Sequence, residues 1–192
     1  FAARSAWFMG AGRVMVVDQY DYRLEFAKQF AQCETLNFRD VKDPVWYLKK
    51  ESDWLGWDCA IDCVGAEAQG SMLQYVTGVR MKLQAGAATA LLWAIDSVRK
   101  GGVVSIIGVY GPTVSMVPIG NVVNKGLTLR ANQASVARNV PRCIAHIEAG
   151  HINPKDVITH RIPLADIAEG YHMFSSKLDG IIKPMVIPRQ AA

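Results

Sequence analysis

The chain of 192 residues is poor in the features that mark several protein classes. It has no lysine- or arginine-rich run, and its formal net charge of +4 is spread along the sequence. Nucleic acid is therefore not an expected partner. No apolar stretch approaches the roughly 18 residues of a membrane span, so no membrane partner is expected. None of the four cysteines forms a C-x-x-C pair, and the four histidines are scattered, so no metal-ligand set is expected. No Ser or Cys stands in a recognisable nucleophile frame. No catalytic residue is assigned.

What is present suits one globular domain or one and a half. At 51% hydrophobic and 20% charged, the chain has the apolar mass for a substantial core. Cys33, Cys59, Cys63 and Cys143 are expected to be buried, reduced and structural, which fits a cytoplasmic protein. His146, His151, His160 and His172 are expected at packing or surface positions.

Period and punctuation place the elements. Residues 1–9 read as a helix, broken by Gly10-Ala11-Gly12, and Val14–Val17 as a strand closed by Asp18. Helices are expected over 20–31 and from Pro44 to Lys50, with a short strand at 35–38 between them. Residues 58–64 form an apolar strand closed by Gly65, and residues 66–84 read as an insertion. A long helix over 85–99 is expected to stop at Lys100-Gly101-Gly102, before a strand at 103–107 ended by Gly108. A helix or turn at 119–125 and a strand at 127–131 follow. Beyond residue 132, helices at 140–149 and 164–174 alternate with strands at 157–162 and 181–187, and Pro184 marks the last as an edge strand or a bulge.

Strands alternating with helices, with strands apolar on both faces, predict an α/β protein: a doubly wound parallel sheet covered on both sides. In a Rossmann-type unit, an acidic residue closing the second strand accepts hydrogen bonds from the adenosine ribose. Asp18 occupies such a position, and its charge would repel a 2′-phosphate, favouring NAD over NADP. The glycine-rich turn should lie about 20 residues earlier, before Phe1. Gly10-Ala11-Gly12 does not replace it, because it precedes a strand instead of following one.

The order of segments resembles the C-terminal half of the zinc-type, medium-chain alcohol dehydrogenases. Three passages carry the likeness. They are Val14–Asp18 with its downstream helix, the strand 58–65 followed by 99–109, and the run from Ile158 to Leu164 continuing through Phe174 to Lys183. The insertion after Gly65, with Gly108–Gly111 and Asn132–Ala134, is most similar to the branch of glutathione-independent formaldehyde dehydrogenases.

The resemblance implies a Rossmann-like NAD-binding domain over residues 1–132, lacking its first strand and glycine-rich turn. Residues 133–192 would be a C-terminal segment returning to a catalytic domain. It implies hydride transfer between nicotinamide and an alcohol or aldehyde substrate, with zinc held only upstream of Phe1. It also implies a homodimer or homotetramer, and this chain alone is expected to be inactive.

Site residues follow from the same resemblance. Asp18 would accept the ribose hydroxyls, with Arg23 beside it. Val64 and Gly65 would face the adenine side of NAD. Main-chain groups of Ile107, Gly108 and Val109, with Asn132, would hold the nicotinamide carboxamide. Lys183 would reach the pyrophosphate as a point charge. His160 is read as structural, and Asp62 as packing or turn support.

Rival readings differ in chemistry. A zinc-free quinone reductase of the same superfamily would use NADPH, against which Asp18 counts. A methyltransferase would lack the tail after residue 133, and a short-chain dehydrogenase needs a Tyr-x-x-x-Lys that is absent. A non-catalytic nucleotide-binding fragment remains an alternative.

Overall fold

The computed structural model describes residues 1–64, 88–108, 110 and 117–188. The chain divides into two compact units, Phe1–Asp40 with Val136–Ala192, and Val41–Ser135. Helices alternate with strands in both, and among the described residues every strand pair is parallel. This is the expected Rossmann-like α/β class.

The first unit begins with α1 (Ala2–Phe8), β1 (Met15–Asp18), α2 (Asp21–Ala31) and β2 (Glu34–Asn37). The β-branched Val16 and Val17 suit β1, which pairs with β2 from Met15 opposite Glu34 to Asp18 opposite Asn37. Between them α2 turns Leu24 and Ala31 inward and ends on Gln32, whose φ of 50° is left-handed. A two-bond fork ties the start of this βαβ unit. Arg13 Nε and Nη2 donate to the Glu34 carboxylate at 2.5 and 2.6 Å. That guanidinium holds the Glu34 carboxyl below its usual range.

The same unit contains α6 (Val136–Glu148), β6 (His160–Pro163), α7 (Ile167–Ser176) and β7 (Pro184–Ile187). β6 and β7 form a two-stranded sheet, with Pro184 at the first position of its strand, where a missing amide is tolerated. The sequence reading started α6 at Val140, but the helix begins four residues earlier and carries Pro141 inside it. No residue of α6 is buried.

In the second unit, α3 (Pro44–Lys50) starts on proline, and the Asp43 side chain caps it by accepting from the Trp46 amide at 2.9 Å. There follow β3 (Trp57–Asp62), α4 (Thr89–Ser97), β4 (Val98–Ile106), α5 (Ile119–Asn124) and β5 (Thr128–Ala131). The three strands make one parallel sheet in the order β3-β4-β5. Leu91 and Ile95 of α4 pack with Val98, Val104 and Val122 as its core, and Ile95 and Val104 are fully buried. The Lys125 ammonium caps α4 by donating to the carbonyls of Ile95 and Asp96 at 2.7 and 3.1 Å.

Two expectations are corrected here. The helix α4 ends at Ser97, and Val98–Gly102 is the bulged start of β4 instead of a helix stop. Trp57 pairs with Val98, but Cys59 pairs with Val103, so β4 carries the extra residues. A Cβ on Gly102 would come within 2.8 Å of the Arg99 carbonyl oxygen, so the bulge needs glycine there. The second correction concerns burial. Only Cys33 is buried, whereas Cys59, Cys63 and Cys143 are exposed. The alternation of β3 puts Cys59 and the 42%-exposed Ile61 on a face that the described residues leave open. Among the described residues, that strand is covered on one side only.

Candidate functional site

Asp18 closes β1 at its carboxyl end, where open α/β sheets collect ligands. Its Oδ1 accepts from the Gln19 and Tyr20 amides at 2.6 and 3.1 Å. The second oxygen, Oδ2, lies 3.7 Å from Arg23 Nη1. Arg23 is held in turn: Nε donates to the Tyr22 hydroxyl at 3.2 Å, and the guanidinium lies 4.8 Å from the Tyr20 ring centroid. Both side chains are about one-third exposed, at 29% for Asp18 and 34% for Arg23. The structure thus brings these two expected residues together. It also limits the reading: Oδ1 has both lone-pair directions engaged by backbone, leaving Oδ2 as the open acceptor.

A second group forms at the carboxyl ends of β3 and β4. Asp62 is 3% exposed. Its Oδ1 accepts from the Val64 amide at 3.0 Å, and its Oδ2 accepts from the Tyr110 hydroxyl. Its main-chain carbonyl accepts from the Ile107 and Gly108 amides, both at 2.9 Å. A Cβ on Gly108 would stand 2.7 Å from the Val64 carbonyl oxygen and 2.8 Å from Asp62 Oδ2. Only glycine fits without moving the neighbouring strand end. Three expected site residues, Val64, Ile107 and Gly108, therefore meet around a residue read from sequence as mere turn support. Burial, then the bond to Asp62 and its charge, push the Tyr110 phenol well above its ordinary range.

Of the remaining expected residues, Asn132 and Lys183 bond to other partners, and two lie outside the described residues. Gly65 and Val109 are outside the described residues. Asn132 is exposed just after β5, and its side-chain amide donates to Ser135 Oγ at 3.3 Å. Lys183 is exposed just before β7; its amide donates to Thr159 Oγ1 at 3.4 Å, and its carbonyl accepts from the Thr159 amide. His160 has both ring nitrogens engaged, Nδ1 with Thr159 Oγ1 at 2.9 Å and Nε2 with Asp179 Oδ2 at 3.2 Å.

Asp62 supports the turn, as the sequence suggested, and Tyr110 is the residue that sequence reasoning passed over. The available signal was a carboxylate at the end of an otherwise apolar strand, since a buried acid requires partners. Although Cys59 and Cys63 reach the surface, partial desolvation by neighbouring groups raises both thiols above their usual range, with the Asp62 charge adding to the effect at Cys63. Neither favours its nucleophilic form at neutral pH. Among the described residues, no group of three His, Cys, Asp or Glu side chains is placed to hold a metal, and no helix is long and apolar enough to cross a membrane.

No family model matches the chain. It is 37% identical over 188 residues to an uncharacterised zinc-type alcohol dehydrogenase-like protein of Bacillus subtilis, covering 98% of this chain and 49% of that one. The alcohol dehydrogenase of Thermus sp. ATN1 superposes with a TM-score of 0.79 at 26% identity, covering 98% of this chain and 47% of that one. A protein described as a short chain alcohol dehydrogenase from E. coli CFT073, solved with the cofactor NADH, gives a TM-score of 0.71 at 18% identity, covering 96% of this chain and 47% of that one. The chain spans about half the length of the curated relatives it matches. Over nearly all of its length, the chain is similar to about half of each of these zinc-type alcohol dehydrogenase-like proteins.

Proposed function

We propose that this chain is the NAD-binding part of a zinc-type dehydrogenase that moves hydride between nicotinamide and an alcohol or aldehyde. The observation that carries the reading is Asp18. It ends the first strand of a parallel βαβ unit with one carboxylate oxygen open and a cation beside it. A ribose hydroxyl would donate to Oδ2, while Arg23 stands alongside. The open Oδ2 fits NAD, because a 2′-phosphate would meet the Asp18 charge.

Bound NAD supplies the hydride acceptor. This chain's residues bind and orient it: Val64 and Gly65 toward the adenine, Ile107–Val109 with Asn132 toward the carboxamide, and Lys183 toward the pyrophosphate. Residues 1–132 would constitute the cofactor domain and 133–192 a segment belonging with the catalytic part. Among the described residues, no set of ligands fits zinc. The formaldehyde dehydrogenase-like branch, a homodimeric or homotetrameric assembly and a cytoplasmic location rest on the family resemblance.

The test is Asp18→Asn. Loss of the ribose acceptor should weaken NADH binding by about tenfold or more, the scale of a hydrogen bond to a charged group. NADPH binding should be unchanged or improved. Unchanged NADH affinity with no gain toward NADPH would overturn the assignment.

A further inference from the structure

The cluster at the ends of β3 and β4 has more order than a turn requires. Asp62 engages four groups at once: the Val64, Ile107 and Gly108 amides and the Tyr110 hydroxyl. The two strands are already registered by their ladder, which pairs Asp62 with Ile106. The side-chain bonds therefore act beyond the ladder, on the residues that leave the sheet. Burying a carboxylate costs free energy unless its oxygens are satisfied, and here Oδ1 and Oδ2 each have a donor. Gly108 completes the fit, since any side chain would collide with both Val64 and Asp62. With the Ile107 and Gly108 amides engaged by Asp62, what this turn offers a ligand is its carbonyl side.

We propose that Asp62 is a positioning residue, with Tyr110 as its closing partner, and that together they clamp the Ile107–Gly108 turn in the conformation that receives the nicotinamide end of the dinucleotide. This rests on the NAD reading above. Asp62 touches no ligand; it acts through the turn. Its closure by Tyr110 is thus expected to matter for the nicotinamide half and not for adenosine alone.

The experiment compares the unaltered chain with Tyr110→Phe, Asp62→Asn and Asp62→Ala, measuring NADH and AMP binding by calorimetry and backbone amide exchange by NMR. Tyr110→Phe removes one hydroxyl, and should weaken NADH about tenfold while AMP stays within about twofold. Amide exchange at Ile107 and Gly108 should accelerate, while α2 amides hold their rates. Asp62→Asn keeps an acceptor for the Val64 amide, so it should retain more NADH affinity than Asp62→Ala. Equal losses for NADH and AMP in Tyr110→Phe would show general destabilisation and overturn the proposal. Unchanged exchange at Ile107 and Gly108 in Tyr110→Phe would overturn it too. Absence of NADH binding by the unaltered chain would overturn the nucleotide reading itself and the clamp's purpose with it. The exchange rates would still decide separately whether the clamp exists.

Discussion

Arg23 Nη1 stands 3.7 Å from Asp18 Oδ2, and the same guanidinium lies over the Tyr20 ring at 4.8 Å. The cation is thereby oriented by an aromatic face as well as by charge. Arg23→Ala should weaken NADH binding about three- to tenfold in a fluorescence titration, in line with one exposed charge-assisted contact. Arg23→Lys should restore only part of that affinity, because an ammonium lacks the planar fork that stacks on Tyr20. Full restoration by lysine would show that charge alone is at work.

The phenol of Tyr110 is expected to resist ionisation. Of the six tyrosines, it should contribute phenolate absorbance only well above the ordinary value of about 10. Because the folded-state value is raised, its contribution to stability is complete below the unfolded-state value and fades as pH climbs through the folded one. Asp62→Asn should bring this late step down toward the other tyrosines, and Tyr110→Phe should remove it. A titration in which all six ionise together would contradict the buried pair.

The Arg13–Glu34 fork makes the opposite pH prediction. The Glu34 carboxyl is lowered by its bonds to Arg13, so its stabilising contribution is present above the unfolded value of about 4.3. It is lost as pH falls through the folded value. Both side chains are well exposed, at 39% and 45%, so the effect is small and weakened by salt. Thermal melts below pH about 4 should show the unaltered chain converging on Glu34→Gln. A constant difference between the two across that range would contradict the assignment.

Ile95 is fully buried in the core formed by α4, β4 and α5. Ile95→Ala should cost about 2–5 kcal/mol, and Ile95→Val about 0.5–1.5 kcal/mol, in urea unfolding. A cost below that of the valine variant for Ile95→Ala would mean that the core is not packed as described.

The α/β alternation and the proline-started α3 were legible because local chemistry and tertiary structure agree there. Pro44 fixes φ, Asp43 caps, and the apolar spacing does the rest. Arg99-Lys100-Gly101-Gly102 misled for the converse reason. A cation followed by glycines is a sound helix stop, but Gly102 is required by the close approach of its backbone to Arg99 within a bulge. The exposure of Cys59 and Cys63 was equally illegible, since an apolar run does not reveal whether another layer covers it. The position of Asp18 at the end of β1 was readable because a carboxylate closing a β-branched run is a local pattern. Asp62 with Tyr110 was not, because their pairing joins residues 48 apart in sequence.

The most direct test of the central claim is calorimetric titration of the 192-residue chain and its Asp18→Asn variant with NADH and NADPH. The account predicts that the unaltered chain prefers NADH by about tenfold or more and that Asp18→Asn narrows the preference. No binding of NADH, or a preference unaffected by Asp18→Asn, would contradict it.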